Sequence, residues 1–468
     1  MLFTILLQAI YMKKTRIIFA LIYIGILSSV MISCSKSEDN NGADPTPNPP
    51  DPGSPQQLTD VELMDKLQEQ TFKYFWDFAH PVSGLARERS DASSYGGEAP
   101  NIVTTGGSGF GVMAIIVGVE RNYISREEAV QRLNTITNFI LNGDRFHGAL
   151  PHWYNGNTGK VRPFFTEDNG GDLVETSFMI QGLLTARQYF NLDTSDEKAL
   201  RDNINTIWDG VEWDFYTNNK KSLTWHWSPE YQFQINHQIQ GYNEGLITYV
   251  LAASSRTHAI EPDVYHNGWA SGGNFVNGRF YYQKWQLPLG PDFGGPLFFA
   301  HYSFLGLNPE GLQDTYANYW DQNVNHTLIN REYCTRNPKG FNGYGATNWG
   351  LTASDDNTGY SAHSPTNDNG TITPTAALSS MPYTPEESLK VLRHFYYDFD
   401  GKLWGQYGFY DAFNQSENWY SNQYLAIDQG PIIVMVENYR TGLLWDLFMS
   451  CPEVKQGLTK LGFSSPNI

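Results

Sequence analysis

Positive charge is scarce in this 468-residue chain: 31 lysines and arginines stand against 49 aspartates and glutamates, a formal net charge of −18. Phosphate binding needs a basic footprint, so nucleic acid is excluded as the expected partner, as is docking on anionic lipid by charge. Cysteine is scarcer still, at three residues, Cys34, Cys334 and Cys451. No CxxC is present, which removes a cysteine zinc site. The histidines His152, His226, His237, His301 and His363 show no HExxH spacing and read as hydrogen-bonding groups rather than ligands. GxSxG, Walker and dinucleotide-binding fingerprints are all missing. No metal and no cofactor is therefore expected. What is abundant is aromatic: 13 Trp, 28 Tyr and 27 Phe make up 15% of the chain. An acidic surface rich in rings suits a neutral, hydroxyl-rich ligand, with rings to stack on sugar faces and carboxylates to bond hydroxyls.

The one long apolar run follows the basic cluster Lys13, Lys14 and Arg16 and extends from Ile17 to about Ile32. It falls short of the ~20 residues a spanning helix needs. A charged start, a short apolar stretch and a small residue before the cut describe an export signal over residues 1–33, with Met12 as an alternative start. Met31-Ile32-Ser33-Cys34 resembles a bacterial lipobox, degenerate at Ile32, and implies lipidation of Cys34. Removing the signal takes three positive charges and no acids, shifting the net charge from −18 to −21. Residues 34–57, rich in Asn, Asp, Pro, Ser and Gly, read as a tether. The expected product is an exported lipoprotein of the outer membrane, on its periplasmic face or at the cell surface, with the Glu38-Asp39 pair resembling a surface-export signal. Cys334 and Cys451 could pair there, but spacing does not decide it.

From Leu58 onward helices dominate. Thr59 with Glu62 and Ser125 with Glu128 are capping boxes. Apolar residues at helical spacing predict helices up to Pro81, over Phe110–Val119, Ala129–Leu141, about Asp172–Phe190, about Ser195–Asp209, Glu244–Ser255, Pro296–Leu305, Asp314–Ile329, Thr384 to near Tyr397, Pro431–Tyr439 and Leu443–Phe448. Strand alternation is nearly absent outside Arg279–Trp285. The economical architecture over residues 58–468 is a single all-α domain, an (α/α)6 barrel. Its long loops, Gly143–Gly171, Val211–Tyr242 and Arg331–Pro382, exceed the length usual for plain connections.

Three helix starts carry carboxylates flanked by glycine and an aromatic. In Phe164–Thr176, Asp172 and Glu175 lie one turn apart with Asp168 just before them. The same spacing also reads as an ordinary capping box. In Gln238–Gly245, Asn243 can cap and Glu244 opens a helix, where the dipole favours an acid in any case. In Tyr424–Pro431, Asp428 precedes a helix and reads alternatively as its cap. The inner helices of an (α/α)6 barrel run the same way, so these starts would share one face. Convergent carboxylates in an aromatic cleft are what glycoside hydrolysis requires: one protonates the leaving oxygen, another activates water or attacks the sugar. Glu244, a single carboxylate where burial would keep it protonated, is the candidate general acid. Asp172 or Glu175 would act on water or grip the sugar, with Asp428 in reserve as base. Asp168, Trp153, Trp225, His226, Tyr242, Trp349 and Tyr407 are the expected substrate contacts, although any one Trp equally packs beneath its loop. Asn367–Gly370 loosely matches a calcium loop but lacks the distal Glu.

These segments resemble glycoside hydrolase family 144, a glucoamylase-like family, from about Leu58 to the end, most specifically at Thr166–Thr176, Gly241–Gly245 and Asn422–Glu437. The resemblance implies an (α/α)6 enzyme cleaving β-1,2-glucan with inversion to sophorose and short oligomers, from within or from an end. Asp172, Glu175 and Glu244 stand where that family's important acids fall, and Asp168 matches a further one. Three other readings compete. A non-catalytic surface glycan-binding lipoprotein would keep the rings without needing convergent acids. An α-glucan hydrolase would share the same chemistry. A polysaccharide lyase would use basic residues that these segments lack.

Overall fold

Helices that are apolar on every side must be enclosed by others, whereas helices with one apolar stripe can face water. The chain supplies both kinds, and the computed structural model, which describes residues 57–91 and 99–468, sorts them into two rings. The expected signal, Cys34 and the tether up to residue 56 lie outside the described residues.

The inner ring consists of Thr105–Glu120, Leu173–Tyr189, Leu246–Ser254, a pair of 3-10 turns (Leu297–Ala300 and Tyr302–Leu305), Pro374–Leu378 and Ala426–Thr441. Consecutive members touch from the 105–120 helix as far as the 3-10 pair, the 3-10 pair and the 374–378 helix both touch the 426–441 helix, and that helix closes back onto the 105–120 helix. All residues from Phe110 to Val117 and from Leu173 to Ala186 are buried. The outer ring includes Asp60–Trp76, Arg126–Asn142, Ser195–Asp209, Tyr319–Arg336, Pro385–Tyr397 and Pro452–Lys460, packed on their inner partners or on one another. Ser195–Asp209 shows the outer pattern, burying Leu200, Ile204, Ile207 and Trp208 along one stripe. The (α/α)6 toroid expected from helix spacing is the architecture observed.

Glycine lets the inner helices approach closely. A Cβ on Gly109 would stand 2.3 Å from the Phe178 carbonyl oxygen, and one on Gly182 would stand 2.1 Å from the Gly109 oxygen. The two backbones therefore touch where these residues cross, and the 105–120 and 173–189 helices form the tightest pair in the ring.

Several helix boundaries depart from the expected ones. Both capping boxes, Thr59–Glu62 and Ser125–Glu128, are present. Pro296–Leu305 is not an α-helix, because neighbouring side chains claim its carbonyls: Tyr383 bonds Ala300, Gln181 bonds Tyr302 and Trp445 bonds Phe304. The helix expected from Asp314 begins at Tyr319, capped by Asn318. Asp314 instead accepts the Tyr316 and Ala317 amides and holds the Tyr265 and Tyr319 hydroxyls. The last inner helix starts at Ala426, five residues earlier than expected, with Pro431 inside it. Pro262–Asn267, Pro374–Leu378 and Pro452–Lys460 are helices not foreseen, each opened by a proline whose missing N–H costs nothing in the first turn.

Short strands tie the loops together. Gly171–Asp172 pairs antiparallel with His226–Trp227, setting Asp172 opposite His226. The expected alternation at Arg279–Trp285 belongs to the hairpin Val276–Tyr281 with Trp285–Leu289, and a second hairpin joins Ala353–Asp356 to Gly359–Ala362. Cys334 and Cys451 are free, buried thiols in separate apolar clusters. Among the described residues no helix is long and apolar enough to cross a membrane.

Candidate active site

Asp172 closes the amino end of the 173–189 helix. Its Oδ1 accepts the Val174 and Glu175 amides at 3.0 and 2.9 Å. Its Oδ2 accepts His152 Nδ1 at 2.9 Å and faces His226 Nε2 at 3.5 Å. The side chain is fully buried. Burial alone would raise this carboxyl, but the two histidines hold it well below the usual carboxylate range. Burial would likewise lower His152, yet Glu175, Asp172 and Asp168 push it up to about 10, so an imidazolium–carboxylate pair floors the site. The cap reading of Asp172 is therefore half right: the cap exists, but Glu175 does not return to it. Each of its oxygens faces two donors, which ties the helix start to His152.

Glu175 turns away from that cap to the neighbouring inner helix, where Oε2 accepts the Gly106 amide at 2.7 Å. Oε1 has no protein donor among the described bonds. Burial pushes its carboxyl up to about 7, with Asp172 and Asp168 adding to the rise and His152 and the Gly106 amide opposing it. Asp168 is buried, with neither oxygen hydrogen-bonded and His226 Nε2 at 3.6 Å. Burial raises it too, against the pull of His226 and His152.

Glu244 is not in the first helical turn, as the sequence suggested. The helix begins at Leu246, and Asn243 Oδ1 accepts the Gly245 amide at 2.9 Å in the turn before it. Glu244 is held there by its own carbonyl, which accepts Ser303 Oγ. Its side chain is half-buried. Burial pushes the carboxyl up to about 7, and the facing charges of Glu175 and Asp172 add to it. These three acids, from two neighbouring inner helix starts, share one end of the barrel.

Asp428 lies within the first turn of the 426–441 helix rather than before it, 1% exposed, and both of its carboxylate oxygens lack a hydrogen-bond donor. Burial and the adjacent Asp411 carboxyl keep it well above the ordinary carboxylate range. Tyr302, on the inner wall, connects the two acid groups: its phenol feels Asp428 and Tyr360 as well as Glu244 and Glu175. Sequence reasoning missed Asp411, Tyr302 and Tyr360, none of which sits at a helix start flanked by glycine.

The aromatic expectations divide. Trp225 is partly exposed, its ring parallel to His226 at 5.9 Å, and stays beside the acids. Trp153 is buried in a strand pairing Thr104 and Arg162, with its ring against His152 at 5.6 Å. Tyr242, Trp349 and Tyr407 are corrected from cleft to interior. Tyr242 packs on Trp269 and Phe299 and bonds Asn323 Oδ1 at 3.1 Å. Trp349 is completely buried, and Tyr407 is wedged among Tyr74, Phe78 and Tyr424. The ring that does face solvent at the site is Phe164, 43% exposed and stacked on His152 at 4.4 Å.

His152, Asp168 and Asp172 offer ligand atoms within 4.8 Å of one another. The set does not fit a metal well: the Asp172 oxygens are taken, and an imidazole raised to about 10 keeps the proton that a ligand must lose. The Asn367–Gly370 loop fits calcium no better. Asp368 already accepts Tyr333, Tyr344 and the Gly370 amide, and Lys339 holds its carbonyl.

A helical toroid whose inner starts gather carboxylates with raised pKa values beside exposed rings defines the (α/α)6 glycoside hydrolase class. The family model described as "Glycoamylase: Putative glucoamylase" matches residues 236–452. An exo β-1,2-glucooligosaccharide sophorohydrolase (non-reducing end) of Parabacteroides distasonis is 48% identical over 426 residues, 86% of this chain, and the chain spans 58% of that relative's length. The structure of an endo-β-1,2-glucanase from Chitinophaga pinensis, in complex with sophorotriose and glucose, is 57% identical, covers 88% of this chain and 100% of its own, and superimposes with a TM-score of 0.85. An endo-β-1,2-glucanase of Talaromyces funiculosus, 11% identical with a TM-score of 0.60 over 83% of this chain and 87% of its own, shares the fold. The chain belongs to this glucoamylase-like family, glycoside hydrolase family 144.

Proposed function

We propose that this protein hydrolyses β-1,2-glucan, with inversion, to sophorose and short sophoro-oligosaccharides. The observation that carries the reading is the pairing of Glu244 with Glu175, two acids on neighbouring inner helix starts, each pushed up to about 7 above an ionised Asp172–His152 floor. The activities of the β-1,2-glucan-cleaving relatives support the choice of linkage.

Glu244, protonated near neutrality, donates its proton to the glycosidic oxygen as the bond to the anomeric carbon breaks. Glu175 is anchored by the Gly106 amide through Oε2, which leaves Oε1 to take a proton from the attacking water. Water then adds to the face opposite the leaving group, and the configuration inverts. Asp168 faces the same site with both oxygens free to accept sugar hydroxyls. The Asp172–His152 pair keeps the helix start and the electric field fixed while the two glutamates exchange protons.

The test is incubation of the purified protein with linear β-1,2-glucan, cyclic β-1,2-glucan and starch. Reducing ends are expected from the linear β-1,2-glucan and none from starch, and opening of the cycle marks internal cleavage. Glu244→Gln should lose well over a hundredfold in turnover with its thermal midpoint kept, as removal of a general acid requires. A wild type inert on β-1,2-glucan, or a Gln variant with near-normal turnover, overturns the assignment. The amino-terminal reading joins the proposal: export and lipidation at Cys34 place the enzyme on the outer membrane, and labelling with a fatty-acid analogue should vanish in Cys34→Ala.

A further inference from the structure

The outer helix Arg126–Asn142 changes character halfway along. Its first half carries Arg126, Glu127, Glu128 and Arg132, and no charged residue follows before its end. The exposed positions of the second half are Thr135, Asn138 and Asn142. Threonine and asparagine are weak helix formers, and lysine or glutamate would keep an exposed face soluble at less cost to the helix. With Phe139 they stand at i, i+3, i+4 and i+7, on one face.

Asn157 and Thr158, on the turn between the strands Trp153–Asn155 and Val161–Arg162, stand across from that face, and a cavity of about 370 Å³ lies between. The turn is locked to the helix end. The Asp144 amide donates to the Gly159 carbonyl at 2.8 Å, and the Asp144 carboxylate accepts Lys160 Nζ at 2.8 Å and the Val161 amide at 3.0 Å. The Asn157 amide donates to Asn155 Oδ1, and the Thr158 and Gly159 amides donate to the Asn155 carbonyl. The backbone of the turn is thus spent on itself, while the Asn157 side chain has no protein partner among the described residues. On the helix, Asn142 Nδ2 donates to the Asn138 carbonyl at 2.8 Å, which leaves its Oδ1, and Asn138 Oδ1 accepts Asn203 Nδ2 at 3.2 Å, which leaves its Nδ2.

No residue lining this cavity is charged, in a chain of net charge −18. The nearby Lys160 and Asp144 neutralise each other. An ion would find no counter-charge here. Side-chain amides that both donate and accept, beside the apolar surface of Phe139 and of Val82, itself 53% exposed, match a neutral sugar ring and its hydroxyls. None of the acids or rings of the cleavage site lines the groove. Asn157 follows His152 by five residues, at most about 18 Å of chain, so one polymer can reach both places.

We propose that this groove is a second glucan-holding site on the flank of the barrel, taking glucosyl units of a β-1,2-glucan chain whose cleavable linkage lies among the acids. The inference rests on the glucan reading for its ligand. It makes affinity depend on chain length. A long chain engages the acid-lined site and the groove together, and the second contact is then intramolecular. A short oligosaccharide engages the acid-lined site alone.

The experiment compares the wild type, the double variant Asn142→Ala with Asn157→Ala, and Asn138→Arg, on long linear β-1,2-glucan and on sophoropentaose. KM on the polymer should rise roughly fivefold to tenfold in both variants, the scale of one or two neutral hydrogen bonds, with kcat within about twofold and KM on the pentasaccharide unchanged. Alanine and arginine are better helix formers than asparagine, so the helix substitutions spare the fold, and Asn138→Arg fills the groove outright. An unchanged KM on the polymer overturns the groove. So does a KM that rises equally on both substrates, which would mark a disturbance of the acid-lined site. A wild type inert on both substrates fails the glucan reading, and retardation in a native gel containing β-1,2-glucan then judges the groove by itself. Retardation of the wild type that is lost in Asn138→Arg upholds it, and retardation that is absent or unaltered overturns it.

Discussion

Gly106 meets Glu175 so closely that an added methyl group would have to push the carboxylate aside. Its amide donates to Oε2 at 2.7 Å, and a Cβ would stand 2.5 Å from the same oxygen and 2.9 Å from Phe178. The glycine-rich entry to the first inner helix is thus a socket for a carboxylate on the next one. Gly106→Ala must either displace Glu175 or spread the two helices. The expected outcome is a loss of kcat of at least about tenfold with a modest stability loss of about 1–3 kcal/mol, the usual cost of overpacking. Steady-state kinetics and thermal melts together check this, and full kcat with Glu175 undisturbed in a crystal structure would contradict it.

His152 and Asp172 couple stability to pH. His152 rises from 6.5 to about 10 on folding. A group raised on folding contributes its full stabilisation below its unfolded pKa and loses it as pH climbs through the folded value. The wild-type melting temperature should therefore fall between about pH 6.5 and 10. His152→Gln strands the Asp172 carboxylate in the interior and should cost about 3 kcal/mol near neutral pH. The difference between the two proteins should shrink toward pH 10. Melting curves across that range decide the point, and a constant difference would remove the imidazolium from the account.

The rate should follow a bell centred near neutrality. Glu244 must carry its proton, so kcat/KM falls as pH rises through the upper apparent pKa. Glu175 must have lost its proton, so kcat/KM falls as pH drops through the lower one. Because the two acids interact, both apparent values belong to the pair. Asp168 is one of the negative neighbours that raise Glu175. In Asp168→Asn the acidic limb should move to lower pH while the alkaline limb stays nearly in place. An acidic limb that moved up would show that Glu175 is not the base.

How much of this was legible in the sequence depends on range. The toroid was, because all-round apolar helices and one-stripe helices differ in local pattern, as Phe110–Val117 and Ser195–Asp209 do. The acids at helix starts were, because Asp172, Glu175 and Glu244 are marked by caps and glycines. The use of each oxygen was not. That Asp172 spends both on amides and histidines, while Glu175 reaches across to Gly106, follows from a crossing of helices about seventy positions apart. Tyr242 and Trp349 misled for the same reason: aromatic flanks look alike whether they face a cleft or a core. Asp411 carried no local signal at all, since its partner Asp428 belongs to another segment.

Phe164 allows sugar stacking to be separated from support of the charged floor. Its ring lies nearly parallel to His152 at 4.4 Å, edge-on to Trp153 at 4.7 Å, with its outer face open to solvent. If that face carries a glucosyl ring, Phe164→Ala should raise KM by about tenfold, the equivalent of one good stacking contact, and leave kcat nearly unchanged. Because the ring is largely exposed, the melting temperature should move little. If the ring instead serves to hold His152 in place, the same variant would lower the melting temperature, flatten its fall above pH 7 and reduce kcat. Phe164→Leu distinguishes the two cleanly, since leucine can cover the imidazole but offers a sugar no π-face: KM should rise in Leu as in Ala if stacking is the role, whereas the melting temperature and kcat lost in Ala should recover in Leu if support is.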